Sequence, residues 1–324
     1  MLTNTSVISS TAEFAADVRT GLCRQGQKQF PSKYLYDSLG SRLFEAICEL
    51  PEYGLTRADE RLLRRHAREI ASRLPGNLLV CELGSGSGRK TRYVLEALAL
   101  RRQIRYFPIE ISPAALAVCQ RELSDIDSLT VVGLEREYLD GLLEVAAQRE
   151  DDQRLLVLFL GSTLGNFSHP HDTEFLRELR LILRAGDALL LGTDLIKPTV
   201  QLVEAYDDPL GVTAAFNLNL LVRINRELGA DFNLRQFRHR AKFNAATSSV
   251  EMHLESQCDQ TVSIPGALLT VDFQSGETIW TEDSHKYSLH EVSQKARTAG
   301  FLVETQWIDR EWPFAESLLV ADVQ

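Results

Sequence analysis

Strand-length apolar runs alternate with amphipathic segments over residues 77–191. The runs are continuously apolar, which is typical of parallel strands buried on both faces, and the intervening segments carry apolar residues at helical spacing. The pattern therefore predicts a doubly wound, Rossmann-like α/β sheet. Its predicted strands are 77–83, 104–109, 129–132, 154–160 and 188–191, and its predicted helices are 91–100, 113–123 and 173–183.

The flanking segments follow a different pattern. Residues 10–70 are predicted to be mostly helical, and residues 196–286 to form a helix and short antiparallel strands with a turn at Gln274–Gly276. We therefore expect the α/β core to be accompanied by a second, smaller α+β lobe. The core is predicted at 61–195 plus 287–324 and the lobe at 1–60 plus 196–286, with helices at 41–50, 56–74, 212–228 and 289–299 and strand-like runs at 241–254, 261–264, 267–273, 301–307 and 317–323.

A glycine-rich loop follows the first predicted strand, with the sequence Glu82-Leu-Gly84-Ser-Gly86-Ser-Gly88-Arg-Lys-Thr91. Glycines let a backbone turn tightly and approach a ligand, which the amino end of the next helix also favours. A dinucleotide fingerprint and a Walker A loop would each need a glycine at position 89, where the chain has Arg89. The loop instead resembles the first motif of class I S-adenosylmethionine methyltransferases.

That resemblance implies two contacts to S-adenosylmethionine at the carboxyl ends of the strands. The carboxylate of Glu82 and the glycines Gly84 and Gly86 would hold the methionine part. Glu110, at the end of the second strand, would accept hydrogen bonds from the ribose hydroxyls. A turn that binds no ligand, and a solvated strand end for Glu110, are the alternative interpretations.

The composition and charge of the chain limit the kinds of partner that it can bind. The net charge of −10 disfavours nucleic acid and anionic membranes, and no apolar run approaches the roughly 20 residues of a membrane span. The N-terminus lacks the pattern of a signal peptide, and five cysteines without a CxxC pair fit reduced thiols. We therefore expect a cytoplasmic protein that acts on a small molecule. No metal is expected, and the oligomeric state is left open, with a monomer favoured.

A longer series of motifs is more specific, and it resembles the L-histidine Nα-methyltransferases of ergothioneine biosynthesis from about residue 30 to the C-terminus. The motifs are Pro31–Asp37, Leu50–Tyr53 with Thr56-Arg57, Glu82–Gly86, Leu160–Phe167, Gly192–Asp194, Ala205–Asp208, Asn225–Phe232 and Thr281-Glu282 with Ser284.

The resemblance implies an acceptor site for a free amino acid. Tyr36 and Tyr206 match tyrosines that hold the carboxylate, and Asn166 matches the residue that orients the carboxylate and the amine. Tyr53 matches the tyrosine beside the amine, and with Asn166 it is the candidate catalytic residue. Taken alone, each of these tyrosines would more often be a packing residue.

The resemblance also implies a ring-binding pair. Glu282 and Ser284 match residues that contact the imidazole, and Met252 matches a methionine that packs near it. Residues 282 and 284 share one face of a strand, so both side chains can form hydrogen bonds with the same ring. A solvent-facing strand and a core methionine are the alternatives.

On the cofactor side, Gly84, Lys90, Glu110, Glu137 and Tyr138 fall at matching places. Glu110 and Glu137 replace expected aspartates, and Tyr138 replaces an expected phenylalanine. These differences bear on the contacts to the adenosine rather than on the identity of the cofactor.

The implied reaction is attack of a neutral amine on the sulfonium methyl, repeated three times to give hercynine and S-adenosylhomocysteine. Positioning can supply most of the catalysis, because the methyl donor is already activated. Three alternatives remain open from sequence: an α-N-methyltransferase for another aromatic amino acid such as a tryptophan derivative, a non-catalytic scaffold, and an RNA or protein methyltransferase.

Overall fold

The chain forms two compact units in a computed structural model that describes residues 5–167 and 170–322. The smaller unit combines Met1–Tyr53 with Pro198–Ser284, and the sheet unit combines Gly54–Lys197 with His285–Gln324. The helices are α1 (Thr5–Leu22), α2 (Ser38–Cys48), α3 (Leu55–Arg73), α4 (Arg92–Ala99), α5 (Pro113–Glu122), α6 (Tyr138–Ala146), α7 (His171–Ile182), α8 (Thr199–Glu204), α9 (Val212–Leu228) and α10 (Leu289–Thr298). The strands are β1 (Lys28–Gln29), β2 (Asn77–Leu83), β3 (Ile104–Ile109), β4 (Leu129–Val131), β5 (Gln153–Phe159), β6 (Ala188–Asp194), β7 (Phe237–Asn244), β8 (Ser249–Ser256), β9 (Gln260–Ile264), β10 (Leu269–Phe273), β11 (Thr278–His285), β12 (Phe301–Asp309) and β13 (Phe314–Ala321).

The sheet unit contains a seven-stranded sheet in the order β12-β13-β6-β5-β2-β3-β4. Strands β2 to β6 are parallel, while β13 is antiparallel to both β6 and β12. The strand order reverses beside β2, where β3 lies on one side and β5 on the other. Ligands of doubly wound sheets bind at such a switch point, outside the carboxyl ends of the strands. The predicted doubly wound α/β sheet is confirmed.

The sheet is parallel because its central strands are apolar on both faces. Residues Leu78–Leu83 of β2, Leu155–Phe159 of β5 and all of β6 are buried. Helices on the two faces exclude water from these side chains, and such burial is the main stabilising contribution to a fold of this size.

The sheet unit begins at Gly54, earlier than the predicted boundary at 61. The reason is that α3 is one continuous helix whose buried face includes Leu55, Leu62 and Ile70, and it packs against α4 and β13. At the other two boundaries the units divide after Lys197 and after Ser284.

The smaller unit holds a four-stranded sheet in the order β1-β11-β8-β7 and the antiparallel pair β9–β10. The run predicted at 241–254 is two strands, β7 and β8, and not one. Asn244 ends β7 and its side-chain oxygen accepts a hydrogen bond from the Ala246 amide at 3.1 Å. This turn reverses the chain so that β7 and β8 pair antiparallel.

Other differences are small. The last predicted strand ran from 317 to 323, while β13 covers Phe314–Ala321 and Val323 lies outside the described residues. Of the helices in the described part of the chain, none is long and apolar enough to cross a membrane.

Candidate active site

The glycine loop follows β2 at the carboxyl edge of the sheet. Gly84, Gly86 and Gly88 have φ values of +73°, +52° and +71°. A side chain at Gly88 would place its Cβ 2.6 Å from the sulfur of Cys119 in α5, so glycine is required there. At Gly86 a Cβ would meet no atom within 4 Å. The loop is therefore pressed against α5 at one glycine and faces open space at another.

Glu82, which precedes the loop, is buried and its oxygens face the protein. Oε1 accepts a hydrogen bond from the Thr91 hydroxyl at 2.8 Å, and Oε2 accepts one from the Tyr106 hydroxyl. Burial raises the pKa of the Glu82 carboxyl to about 7, although both hydrogen bonds lower it. Glu82 thus ties the start of α4 to β3 and holds the loop between them. Its direct contact with a cofactor stays a prediction.

Glu110 follows β3 directly, where the sequence placed it. Its Oε2 accepts a hydrogen bond from the Gly86 amide and its Oε1 from the Ser112 amide, both at 3.2 Å. Burial raises the pKa of Glu110, and the backbone donors oppose this rise. Each carboxylate oxygen can accept more than one hydrogen bond, so both remain able to receive a hydroxyl.

Glu137 and Tyr138 lie at the start of α6. Glu137 is the N-cap residue, and its side chain does not cap the helix. Tyr138 packs edge-on against Phe159 and Phe175, with ring centroids 5.7 and 6.2 Å away. Its hydroxyl lies 3.2 Å from the position that a Cβ at Gly84 would take, so the ring covers one side of the glycine loop.

Lys90, near the end of the loop, pairs with a carboxylate that the sequence analysis did not identify. Its Nζ lies 2.6 Å from Oδ2 of Asp59, a fully buried residue of α3. The same oxygen accepts a hydrogen bond from the Gly161 amide at 2.9 Å. Asp59 could have been identified from sequence because it is a charged residue on the apolar face of a predicted helix, between Leu55 and Leu62.

Asn166 ends a short 3-10 helix, Thr163–Asn166, that follows β5. The chain enters it through Ser162, a non-glycine residue with a φ of +60°. The Ser162 hydroxyl accepts a hydrogen bond from the Asp194 amide at 2.9 Å, which fixes this strained conformation. Strain of this kind is concentrated at functional positions. Asn166 itself is partly exposed, as a ligand-binding amide must be.

In the smaller unit, two tyrosine hydroxyls contact two polar residues of β11. The hydroxyls of Tyr206 and Ser284 are 2.8 Å apart, and the Tyr36 hydroxyl donates a hydrogen bond to Glu282 Oε1 at 3.4 Å. Glu282 and Ser284 lie two positions apart on the strand, so they share a face as the sequence indicated. The structure thus brings together four residues that the resemblance assigned to one acceptor site.

Tyr53 joins this cluster through ring packing. Its ring centroid lies 5.9 Å from that of Tyr206 and 6.2 Å from that of Phe44, both edge-on. Burial raises the pKa of the Tyr53 hydroxyl well above its ordinary value, and neighbouring Tyr206 adds to the effect. Phe44 also packs against Tyr36 and, with Phe216, was missed by the sequence analysis. The sequence feature that could have identified Phe44 is its apolar side chain within the predicted helix 41–50.

Met252 is buried in β8, beside β11. Its carbonyl oxygen accepts a hydrogen bond from the Thr281 hydroxyl at 3.0 Å. The structure therefore places Met252 on the strand next to the one that carries Glu282.

His239 supports Tyr206 and was not identified from sequence. Its Nε2 lies 2.7 Å from the Tyr206 carbonyl oxygen, and its Nδ1 lies 2.9 Å from the amide nitrogen of Asn217. Because the carbonyl can only accept and the amide nitrogen can only donate, the ring carries its hydrogen on Nε2. Burial lowers the pKa of His239, which favours this neutral form. The signal was the alternation of β7, which points Phe237 and His239 inward.

Comparison with known proteins identifies the family. The family described as "Histidine-specific methyltransferase, SAM-dependent" matches residues 14–321. The chain belongs to this family. Histidine N-alpha-methyltransferases of Mycobacterium tuberculosis (strain CDC 1551 / Oshkosh) and Mycolicibacterium smegmatis (strain ATCC 700084 / mc(2)155) are each 41% identical to it, over 307 and 325 residues that cover 93% and 98% of both chains. An L-tryptophan methyltransferase of Psilocybe serbica is 27% identical over 335 residues, which cover 94% of this chain and 92% of that relative.

The residues of this methyltransferase fit S-adenosylmethionine, the cofactor of the family. Open space lies beside Gly86, and the carboxylate of Glu110 borders it through the Gly86 amide. The Glu110 carboxylate would offer acceptors to a ribose diol, and the Lys90 ammonium would offer a donor to a carboxylate. This donor set matches the polar groups of the cofactor, and the seven-stranded sheet is the Rossmann-like methyltransferase fold.

Proposed function

We propose that this enzyme transfers methyl groups from S-adenosylmethionine to the α-amino group of free L-histidine. Three transfers would give hercynine, the trimethylated betaine, for ergothioneine biosynthesis, with one S-adenosylhomocysteine released each time. The observation that carries the proposal is the pair Glu282 and Ser284 on one face of β11, in contact with Tyr36 and Tyr206. The names of the mycobacterial relatives, at 41% identity, support histidine as the acceptor.

The chemistry of the ring explains why this pair favours histidine. A neutral imidazole offers one N–H donor and one acceptor nitrogen, whereas an indole offers a donor only. We assign Glu282 to the N–H and Ser284 to the other nitrogen, with Met252 near the ring. A carboxylate has about four acceptor positions, so Glu282 can bind the ring N–H beside Tyr36, whose single hydroxyl hydrogen would turn from Glu282 to the carboxylate of the substrate.

The carboxylate of the amino acid would be held by neutral donors. We assign this role to the hydroxyls of Tyr36 and Tyr206, and we assign the orientation of carboxylate and amine to the Asn166 amide. Each hydroxyl has one hydrogen, so the Tyr206–Ser284 hydrogen bond would give way when the substrate binds, with Tyr206 donating to the carboxylate and Ser284 to the ring nitrogen.

The cofactor would be held by the sheet unit. We assign its methionine part to the glycine loop at Gly84 and Gly86 and to Lys90, with Glu82 acting through its hold on the loop. We assign the ribose to Glu110 and the adenosine to Glu137 and Tyr138.

The amine must lose a proton before each transfer, because an ammonium has no lone pair. When bound, S-adenosylmethionine supplies a methyl group already activated on a positively charged sulfur. Tyr53 is our candidate for proton transfer. Since burial keeps its hydroxyl protonated, Tyr53 would take up the proton of the ammonium as it gives its own hydroxyl proton to a water molecule, without forming a stable tyrosinate.

We further propose that the protein works in the cytoplasm, as a monomer, without nucleic acid or membrane partners. Two observations support this. The five cysteines include no CxxC pair, and the net charge is −10.

The test is to incubate the purified protein with S-adenosylmethionine and each common amino acid and to follow product masses. We expect one, two and three methyl groups on histidine and little change on tryptophan. Glu282→Ala should raise the KM for histidine by about 10- to 100-fold, since hydrogen bonds to charged groups contribute about 1.5–3 kcal/mol.

The control is Asp283→Ala, on the opposite face of the same strand, which should change this KM much less. Cofactor affinity should be the same in both variants. Methylation of another amino acid in place of histidine would show that the ring-binding roles of Glu282 and Ser284 are wrong, while leaving the cofactor assignments intact.

A further inference from the structure

Two buried carboxyl groups meet near Lys90 in the sheet unit. Asp59 in α3 and Glu316 in β13 are 0% and 1% exposed. Asp59 Oδ2 receives both the Lys90 ammonium at 2.6 Å and the Gly161 amide at 2.9 Å. The carboxyl of Glu316 interacts with that of Asp59.

As two carboxylates, these groups would be poorly satisfied. Within residues 5–167 and 170–322, Asp59 Oδ1 and both carboxyl oxygens of Glu316 have no hydrogen-bond donor. Buried polar groups in native proteins are nearly always paired, and two neighbouring carboxylates in a low-dielectric site do not both ionise. One proton removes the second charge and pairs two of these three oxygens, because a carboxylic acid at one residue can donate to the carboxylate of the other.

We propose that Asp59 and Glu316 share one proton and that this pair positions Lys90 for the cofactor. The positioning of Lys90 by this pair rests on the proposed role of Lys90 in cofactor binding. The two acids are positioning residues, since neither is required to touch a substrate.

The strand beside Glu316 leaves room for its carboxyl group next to the Gly161 turn. Glu316 pairs with Gly192 across β13 and β6, and a Cβ at Gly192 would lie 2.8 Å from Glu316 Oε1 and 3.2 Å from the Gly161 amide nitrogen. Glycine at 192 therefore makes the space that the carboxyl occupies beside the Gly161 turn. Burial raises the pKa of Glu316 well above its ordinary value, and the charge of Asp59 adds to the rise.

The charges balance only with the proton present. The charged groups that act most strongly on Glu316 are Asp59 of α3, Lys90 of the glycine loop and Glu82 of β2. With one shared proton the pair carries a single negative charge, which the Lys90 ammonium neutralises. Burial lowers the pKa of Lys90, but Asp59 outweighs burial and keeps the ammonium charged. Ionised Glu316 would add a second negative charge that no cation here offsets.

The first test compares the wild type with Glu316→Gln by urea unfolding from pH 5 to pH 8. The unfolded Glu316 ionises near 4.5 and the folded one far above it. Between these values the unfolded state releases the proton that the folded state keeps, so wild-type stability falls as pH rises. The expected difference is a tenfold loss in the folding equilibrium constant per pH unit, about 1.4 kcal/mol.

Glutamine has no such proton, so the additional fall of stability with rising pH should be absent from Glu316→Gln. Glu82 titrates in both proteins and cancels in the comparison. Glu304→Gln, at a half-exposed position of β12, is the matched control and should follow the wild type. Equal slopes for wild type and Glu316→Gln would overturn the shared proton.

The second test measures S-adenosylmethionine affinity by calorimetry at pH 7, without histidine, on variants whose fold is checked by circular dichroism. Asp59→Asn should weaken binding at least tenfold, as should Lys90→Met, and Glu316→Gln should recover most of the affinity that Glu316→Ala loses. Wild-type affinity in Asp59→Asn, with Lys90→Met weakened, would overturn the positioning role.

Wild-type affinity in Lys90→Met would also overturn that role, by removing the function of Lys90 on which it depends. None of these outcomes involves the acceptor. Failure of the inference is therefore distinguishable from failure of the proposed histidine activity, which the product masses decide.

Discussion

Removing the hydroxyl of Tyr206 tests the contact that links the aromatic cluster to β11. The Tyr206 and Ser284 oxygens are 2.8 Å apart, and the two residues are only 7% and 4% exposed. A neutral hydrogen bond contributes about 1 kcal/mol net, and truncating one buried partner costs about 1–3 kcal/mol. We expect Tyr206→Phe and Ser284→Ala each to lower the free energy of unfolding by about 1–2 kcal/mol. The double variant should lose less than the sum, by about 1 kcal/mol.

The same variants should weaken histidine use. Both side chains are proposed to bind the substrate, so each single variant should raise the KM for histidine by about tenfold, the equivalent of about 1.4 kcal/mol. Affinity for S-adenosylmethionine should stay within twofold of the wild type.

Urea unfolding and steady-state kinetics measure the two effects. Tyr93→Phe is the control, since it also removes a hydroxyl, one that donates to Glu60 in the sheet unit. It should show no coupling to Ser284→Ala. Stability losses of Tyr206→Phe and Ser284→Ala that add to within about 0.3 kcal/mol would refute a direct interaction.

Two further predictions concern single sites. Gly88→Ala should lower the melting temperature more than Gly86→Ala, because both impose positive φ on alanine but only at 88 would the Cβ lie 2.6 Å from the Cys119 sulfur. Acidification below about pH 6.5 should destabilise the wild type more than His239→Gln. Burial lowers the pKa of His239, so the unfolded chain takes up the proton first, and identical melting profiles against pH would contradict this.

The sheet unit was predictable because its signals are local. Continuous apolar runs identified all five parallel strands, with end points that differ by at most a few residues from those in the structure. Helix α6 was missed because Gly141 lies in its interior, where glycine weakens the helical signal. The structure supplies the reason for that glycine, since a Cβ there would lie 2.6 Å from Ile109 of β3.

The proposed acceptor residues were named through ordered motifs, but their contacts with one another were not. Tyr206 and Ser284 are 78 positions apart in the chain, and Lys90 and Asp59 are 31 apart. No periodicity connects such pairs, because only the tertiary fold sets their distance. His239 illustrates the same limit, since its inward position was readable from the alternation of β7 but its hydrogen bond to Tyr206 was not.

The motif Gly192–Asp194 contributed to the resemblance without an assigned role, and the structure gives it one. Asp194 Oδ1 accepts hydrogen bonds from Lys197 Nζ at 2.5 Å and from the Trp312 indole at 2.9 Å, and Oδ2 lies 3.0 Å from Lys286 Nζ. Burial lowers the pKa of Lys197 to about 8, which Asp194 only partly opposes.

These lysines mark the points where the sheet unit is interrupted. Lys197 is the last residue before the chain leaves it, and Lys286 is the second residue after the chain returns. Asp194, at the end of β6, therefore binds a lysine on each side of the inserted segment Pro198–Ser284. Without its carboxylate, two buried ammonium groups would each lose an ion pair, a strongly destabilising change. The aspartate is thus required by the insertion of a second unit into the sheet unit, whichever amino acid the enzyme methylates.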